Sequence, residues 1–142
     1  MYSYSNITDT KVPIKIRDNY GTNVNSTFQN ATKLEVIRSF GVNPALSMNS
    51  QFTGCAKLRH LRLIGTFAKT VNLSACPLDK RSILSVIKAM SDTATGQGQA
   101  AAFNKAAVDK AFETSPGVND GSESQEWADL VASKPKWTFT LT

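Results

Sequence analysis

NSTFQNATKLEVIRSFG, residues 25–41, returns 24 positions later as NSQFTGCAKLRHLRLIG, residues 49–65. Both copies place apolar residues at the same intervals. A repeat of this length predicts stacked copies of one structural unit, because a single copy can bury only one side of itself. The identical positions are Asn25, Ser26, Phe28, Lys33, Leu34, Arg38 and Gly41, which recur as Asn49, Ser50, Phe52, Lys57, Leu58, Arg62 and Gly65.

The second copy contains the spacing Leu-x-x-Leu-x-Leu, formed by Leu58, Leu61 and Leu63. This spacing is typical of leucine-rich repeats. Strand alternation turns Leu61 and Leu63 toward the core and leaves His60 and Arg62 facing outward. We therefore expect a strand here and at the equivalent positions of the first copy.

Glycine follows the predicted strand in both copies, as Gly41 and Gly65. We expect each to let the chain leave the sheet. A third, shortened copy starts at residues 73–76, LSAC, and continues to Leu78.

The pattern Phe-x-x-Cys-x-x-Leu-x-x-Leu, which starts at Phe52, resembles the BspA-like (Treponema pallidum-type) leucine-rich repeats. Residues 73–79, LSACPLD, followed by residues 82–92, SILSVIKAMSD, are similar to the closing unit of such arrays. The resemblance implies a short α/β (α+β) leucine-rich-repeat solenoid with a helix-and-strand C-terminal cap. It also implies a bacterial surface protein or a phage tail or other virion protein, but no activity, because a shared framework does not define a catalytic site.

The length of 142 residues suits one domain. We expect residues 1–24 to be an N-terminal segment or degenerate repeat and residues 25–76 to form about two and a half coils of the repeat. Residues 77–142 are expected to be the C-terminal cap of the same domain, covering apolar surface and strand edge at the end of the stack. An independent α+β domain is the alternative, although no linker separates Cys76 from the helix that follows.

The cap region shows its own local patterns. Apolar residues at helical spacing predict an amphipathic helix, with Asp79 as its N-cap. Glycine, proline and small polar residues mark two loops, at 91–99 and 115–124. The predicted elements are a helix over 79–91, a strand over 100–103, helices over 104–112 and 123–133, and a strand over 137–141.

Charge is unevenly spread over a net value of +5. Residues 1–71 carry nine Lys/Arg and three Asp/Glu, or +6, whereas residues 72–142 carry seven and eight, or −1. This asymmetry can mark a surface for an anionic partner. The absence of a dense Lys/Arg run and the scarcity of aromatic residues among the basic ones favour the simpler interpretation, a basic surface that only aids solubility.

Composition argues against most enzymes. The single histidine, His60, excludes a His-rich metal site, and any Ser-His-Asp or Cys-His centre would have to include it. Its basic neighbours Arg59 and Arg62 offer no orienting carboxylate. We expect no enzyme activity, no catalytic or metal-binding residues and no cofactor. A cell-wall hydrolase with paired carboxylates is a further alternative, but the acidic residues fall mostly in helix-surface or loop contexts.

The two cysteines, Cys55 and Cys76, occupy equivalent positions of the repeat. Two cysteines are too few for a disulfide framework. We expect both to fill the core as small apolar side chains, with sulfur atoms close enough to approach each other.

A binding surface is predicted on the exposed face of the stacked sheet, at Arg38, His60, Arg62 and Asn72. The planar guanidinium group suits carboxylate, phosphate or sulfate. The alternative is that the arginines simply keep this face soluble.

These observations predict a non-enzymatic binding or structural module of a phage virion, at a tail, baseplate or capsid surface, or of a bacterial cell surface. The expected partners are other virion or surface proteins and a host surface glycan, within a homo-oligomer or larger assembly. The start MYSYSNITDT has no signal-peptide pattern, which favours the virion, and no apolar run approaches the ~20 residues of a membrane span, so no membrane insertion is expected. The alternative function is binding of nucleic acid or an anionic polymer through the basic N-terminal half.

Overall fold

The computed structural model describes residues 7–11, 27–92, 99–112 and 125–142. Most of the predicted N-terminal segment, most of the first predicted loop and the whole of the second lie outside these residues. The strands are β1 (Val36–Val42), β2 (His60–Gly65), β3 (Val71–Leu73), β4 (Ala100–Phe103) and β5 (Thr138–Leu141), and the helices are α1 (Lys80–Ala89), α2 (Lys105–Ala111) and α3 (Gln125–Ala132).

The two copies of the repeat lie side by side as the parallel strands β1 and β2. Val36 is opposite His60 and Ile37 is opposite Leu61, which is the 24-residue offset of the sequence. The register shifts between Ile37 and Phe40, so that one more residue of β1 than of β2 fills this interval. The bulge falls next to Arg38.

Residues 7–11 run parallel to the other side of β1. Thr8 accepts a hydrogen bond from the backbone of Val36 at 3.0 Å, and Thr10 donates one to Val36 at the same distance. This segment therefore adds a short third layer to the two repeat copies.

The predicted leucine-rich-repeat solenoid is wrong, because the strands do not continue as one stacked sheet. β1 and β2 form a two-stranded sheet, and β3, β4 and β5 form a separate parallel sheet in that order. The described chain is a small α/β fold with these two sheets and three helices. The third copy of the repeat places no strand beside β2, since α1 occupies that edge.

Serine side chains of α1 take the place of strand backbone at the edge of β2. The amide of Leu61 donates to Ser82 Oγ at 2.9 Å, and the amide of Leu63 donates to Ser85 Oγ at 3.0 Å. Ser82 Oγ in turn donates to the carbonyl oxygen of Arg59 at 3.1 Å. The backbone groups of β2 are thus satisfied without another strand, as buried polar groups require.

The buried core is continuous from Phe28 to Trp137. Leu61 and Leu63 point inward, as predicted, with 2% and 7% of their surface exposed. The repeat also aligns aromatic rings, since Phe28 stacks on Phe52 with centroids 5.9 Å apart. Side chains from both copies therefore share one core.

The elements predicted for residues 77–142 are confirmed within a few residues at their ends. Asp79 caps α1 by accepting a hydrogen bond from the backbone of Ser82 at 2.8 Å. Asn104 caps α2 in the same way through the backbone of Ala107. None of the helices in the described ranges is long and apolar enough to cross a membrane.

The two repeat glycines behave differently. Gly65 is the last residue of β2 and has a φ of +99°, and a Cβ atom there would collide with the carbonyl oxygen of Val42. The prediction that glycine releases the chain is confirmed at this position. It is wrong for Gly41, which lies inside β1, because that strand continues through Val42.

Candidate binding surface on the first sheet

Three side chains of β2 face outward in alternation: His60, Arg62 and Ile64. We call them the β2 outer row. Alternate residues of a strand lie on one face, so the three side chains follow one another along a single line. Ile64 is 46% exposed and is one of two exposed large apolar residues in the described chain.

Arg38 lies beside this row on β1, but its charge is already paired. Its Nε donates to Asp9 Oδ1 at 3.1 Å and its Nη2 donates to Asp9 Oδ2 at 2.8 Å. The hydrogen bond from Arg38 lowers the pKa of the Asp9 carboxyl, and a backbone hydrogen bond from Lys11 adds to this effect. The guanidinium group of Arg38 is therefore held by a two-point contact within the chain.

His60 has a carboxylate partner, contrary to the sequence-based expectation. Its Nδ1 lies 2.6 Å from Oδ2 of Asp79. Burial raises the pKa of Asp79. Hydrogen bonds from the side chain and backbone of Ser82, together with the interaction with His60, lower this pKa by more than burial raises it, so the net shift is downward. The amide of Asp79 also donates to the Arg59 carbonyl at 2.9 Å, which anchors the start of α1 beside β2.

A second ion pair connects the two repeat copies, since Arg59 Nη2 lies 2.7 Å from Glu35 Oε2. With Asp9–Arg38 and Asp79–His60, it forms a ladder in which each pair crosses one junction between neighbouring layers. Exposed pairs of this kind contribute little to stability, because solvent screens the charges. Their larger effect is to neutralise most of the charge that the sequence assigns to this face.

Arg62 is the exception. It is exposed and forms no ion pair with another residue in the ranges that the structure describes. A guanidinium group that no carboxylate of the described residues neutralises can offer its donors to a ligand. Arg62 is also the middle residue of the β2 outer row, next to the exposed Ile64.

Asn72 does not join this surface. It lies on β3 in the second sheet, opposite Ala102. Its Oδ1 accepts hydrogen bonds from the backbone and hydroxyl of Ser74, at 3.1 and 2.7 Å. The structure thus brings together Arg38, His60 and Arg62 and separates Asn72, because β3 pairs with β4 and not with β2.

Both cysteines are buried and free, as predicted. Cys55 Sγ donates to the Phe28 carbonyl at 3.0 Å, and Cys76 Sγ donates to the Phe52 carbonyl at 3.5 Å. Burial raises the pKa of the Cys55 thiol to about 11. Burial, with a smaller contribution from nearby Cys55, also raises the pKa of Cys76. Neutral, buried thiols are poor nucleophiles and poor metal ligands.

The contact between His60 and Asp79 is of the kind that orients a histidine base. The neighbouring Ser82 hydroxyl cannot serve as a nucleophile, because it is engaged between the Arg59 carbonyl and the Leu61 amide. Among the described residues, no group of three or more His, Cys, Asp and Glu could hold a metal ion. The contact with Asp79 therefore orients the His60 ring on the exposed face of the sheet.

No family model, curated protein or solved structure matches this chain. A proposal about function therefore has to start from the side chains of this surface, Arg62 and Ile64 among them. Sequence reasoning identified Arg62 by strand alternation. It passed over Ile64, although the same alternation places that residue two positions further along the outward face.

Proposed function

We propose that the protein is a non-enzymatic binding module that contacts its partner through the β2 outer row. The observation that carries this proposal is the pairing of an uncompensated guanidinium, on Arg62, with an exposed aliphatic side chain, on Ile64. Arginine beside apolar surface is a common combination where proteins bind one another.

The chemistry of the row selects the partner. Arg62 can bind a carboxylate, phosphate or sulfate through two parallel hydrogen bonds. Ile64 favours an apolar group about two strand positions away, or about 7 Å. A protein surface or an acidic glycan that presents both groups would fit.

The row is also held rigid before binding. β2 is hydrogen-bonded to β1 on one side and to two serine hydroxyls of α1 on the other. A preorganised surface loses less conformational entropy on binding than a mobile one. Rigidity therefore supports recognition by a row of only three side chains.

The test uses an array of carboxylated, sulfated and neutral glycans as probes. We expect the wild type to bind the carboxylated members. The affinity should fall at least tenfold in Arg62→Gln and in Ile64→Ser. It should not change in Lys69→Gln, which alters an exposed lysine outside the row. Equal binding by all four proteins would exclude this surface. Absence of binding to every glycan would leave proteins as the partner class, to be probed with the same variants.

The nucleic-acid alternative is not supported by the ion pairs of this face. Arg38 and Arg59 are both paired with carboxylates, so two of the cations that made the N-terminal half basic are compensated. Binding of a 20-base-pair DNA duplex that weakens steeply with salt and is unaffected by Arg62→Gln would favour that alternative over ours.

The location in a phage virion, or alternatively at a bacterial surface, stays a prediction from the resemblance of the repeat residues. Tail or capsid genes beside the coding sequence would support the virion. A cell-wall anchor gene there would support the bacterial surface.

A further inference from the structure

Both edges of the first sheet are protected against pairing with another chain. At the edge of the first sheet, residues 7–11 carry the charged side chains Asp9 and Lys11, and the backbone of Lys11 departs from the extended conformation with a φ of +56°. The edge of β2 is closed by Ser82 and Ser85. Charges, bends and covering helices are the usual means of blocking edge-to-edge association.

At the outer edge of β5, the residues that the structure describes supply none of these devices. The stretch from Trp137 to Thr142, WTFTLT, contains no charge and no proline, and β5 keeps regular register with β4 along its whole length. No other strand in the described ranges pairs with its far side. Uncharged β-branched and aromatic residues make such an edge a good template for a further strand.

The backbone of β5 alternates between its two sides. Thr138 donates to the Gln99 carbonyl at 2.9 Å and Thr142 donates to the Phe103 carbonyl at 3.2 Å, so the threonine amides point to β4. By the alternation of a parallel ladder, the amide and carbonyl groups of Phe139 and Leu141 point away from β4. No hydrogen bond from another residue in the described ranges reaches these groups, so they can pair with a neighbouring strand.

The side chains of β5 alternate as well. Thr138 and Thr140 are exposed on one face, and Phe139 and Leu141 are half-buried on the other. Phe139 stacks on Phe103 with ring centroids 6.1 Å apart. A strand added at this edge would therefore need apolar residues on the core face and small polar residues on the outer face.

We propose that this strand is β5 of a second copy, paired antiparallel about a twofold axis at Thr140. Phe139 of each copy then lies opposite Leu141 of the other, and each such pair exchanges two hydrogen bonds through the outward backbone groups. Thr140 meets Thr140 of the second copy at a non-hydrogen-bonded position.

The sequence of β5 is self-complementary in this register. Phe139 faces Leu141 of the second copy on the core side, which extends the apolar layer across the axis. Threonine faces threonine on the outer side, a favourable cross-strand pair. Both hydrogen-bonded pairs also fall within the bounds of β5, Thr138–Leu141. A second copy of β5 therefore matches both faces of this edge.

The experiment measures the mass of the protein by sedimentation at increasing concentration. We expect the wild type to dimerise and Thr140→Lys and Thr140→Glu each to be monomeric, because like charges would meet at the axis. An equimolar mixture of the two variants should recover the dimer through Lys–Glu pairs. Thr138→Lys is the matched control and should still dimerise, since Thr138 faces Thr142 of the second copy and not itself.

A monomeric wild type, or a dimer that persists in Thr140→Lys, would overturn the proposal. A second measurement guards against variants that misfold. Thr140→Cys should form a disulfide between copies under mild oxidation, because Cα atoms at a non-hydrogen-bonded pair lie about 4.5 Å apart. Thr138→Cys should not. The buried Cys55 and Cys76 do not compete for this reaction.

Discussion

His60 Nδ1 lies 2.6 Å from Asp79 Oδ2, and this contact joins the second copy of the repeat to the first helix. Asp79 has two further roles in the same place: its side chain caps α1, and its amide donates to the Arg59 carbonyl. One carboxylate thus fixes the orientation of a surface histidine and the position of the helix that closes β2.

The pKa of Asp79 makes stability depend on pH. Because this pKa is lowered from 3.8 in the folded protein, the ionised carboxylate stabilises the fold above pH 3.8. That contribution is lost as the pH falls through the folded pKa. We expect Asp79→Ser, which keeps a capping hydroxyl, to lower the urea midpoint at pH 6 and to reduce its change between pH 6 and pH 3.

The control for this experiment is Asp129→Asn, an exposed position on α3. In this variant, the change in the urea midpoint between pH 6 and pH 3 should stay close to that of the wild type. If Asp79→Ser lost as much stability on acidification as the wild type, the capping carboxylate would not be a source of the acid sensitivity.

The hydrogen bonds between the serines of α1 and the backbone of β2 should contribute measurably to the free energy of unfolding. Ser82→Ala leaves the buried amide of Leu61 without its acceptor, and we expect a loss of about 1–3 kcal/mol in the free energy of unfolding. Ser85→Ala should cost less, because the contact with Leu63 is only partly buried. Ser133→Ala, at the exposed end of α3, is the control.

Hydrogen exchange gives the residue-level measurement for the same variants. The Leu61 amide should exchange faster in Ser82→Ala, and the Leu63 amide faster in Ser85→Ala. Unchanged exchange at both amides would mean that α1 does not close this edge in solution.

Gly65 and Gly41 allow a matched comparison of equivalent repeat positions. Gly65→Ala must hold alanine at a φ of +99° against the Val42 carbonyl, so we expect a loss of at least about 1–3 kcal/mol. Gly41→Ala lies inside β1 and should change stability much less. Thermal melts of the two variants test this ordering, and equal melting temperatures would contradict it.

The cysteine thiols should be unreactive in the folded state. Cys55 and Cys76 are 0% and 1% exposed, and burial raises the pKa of both. Labelling with a disulfide reagent should be slow in buffer at pH 8 and complete within the mixing time in urea. Rapid native labelling of either thiol would show that the core around the repeat opens easily.

The sequence by itself determined the parts of this protein that depend on local or periodic patterns. The 24-residue repeat gave the pairing of β1 with β2, and alternation gave the outward direction of His60 and Arg62. The cap of α1 at Asp79 followed from residue type and spacing. Such features need only neighbours along the chain or an identical copy, both of which can be read directly.

Only the tertiary structure decided what lies at the free edge of β2. A repeat pattern specifies which residues can be buried, but it does not specify whether a strand or a serine-bearing helix satisfies the exposed backbone groups. Because α1 takes that edge, the strands divide into two sheets, Asn72 is separated from Arg62, and Asp79 reaches His60. These outcomes depend on hydrogen bonds between elements that are distant in sequence. Such bonds form only when tertiary folding brings the elements together, so the sequence pattern does not reveal them.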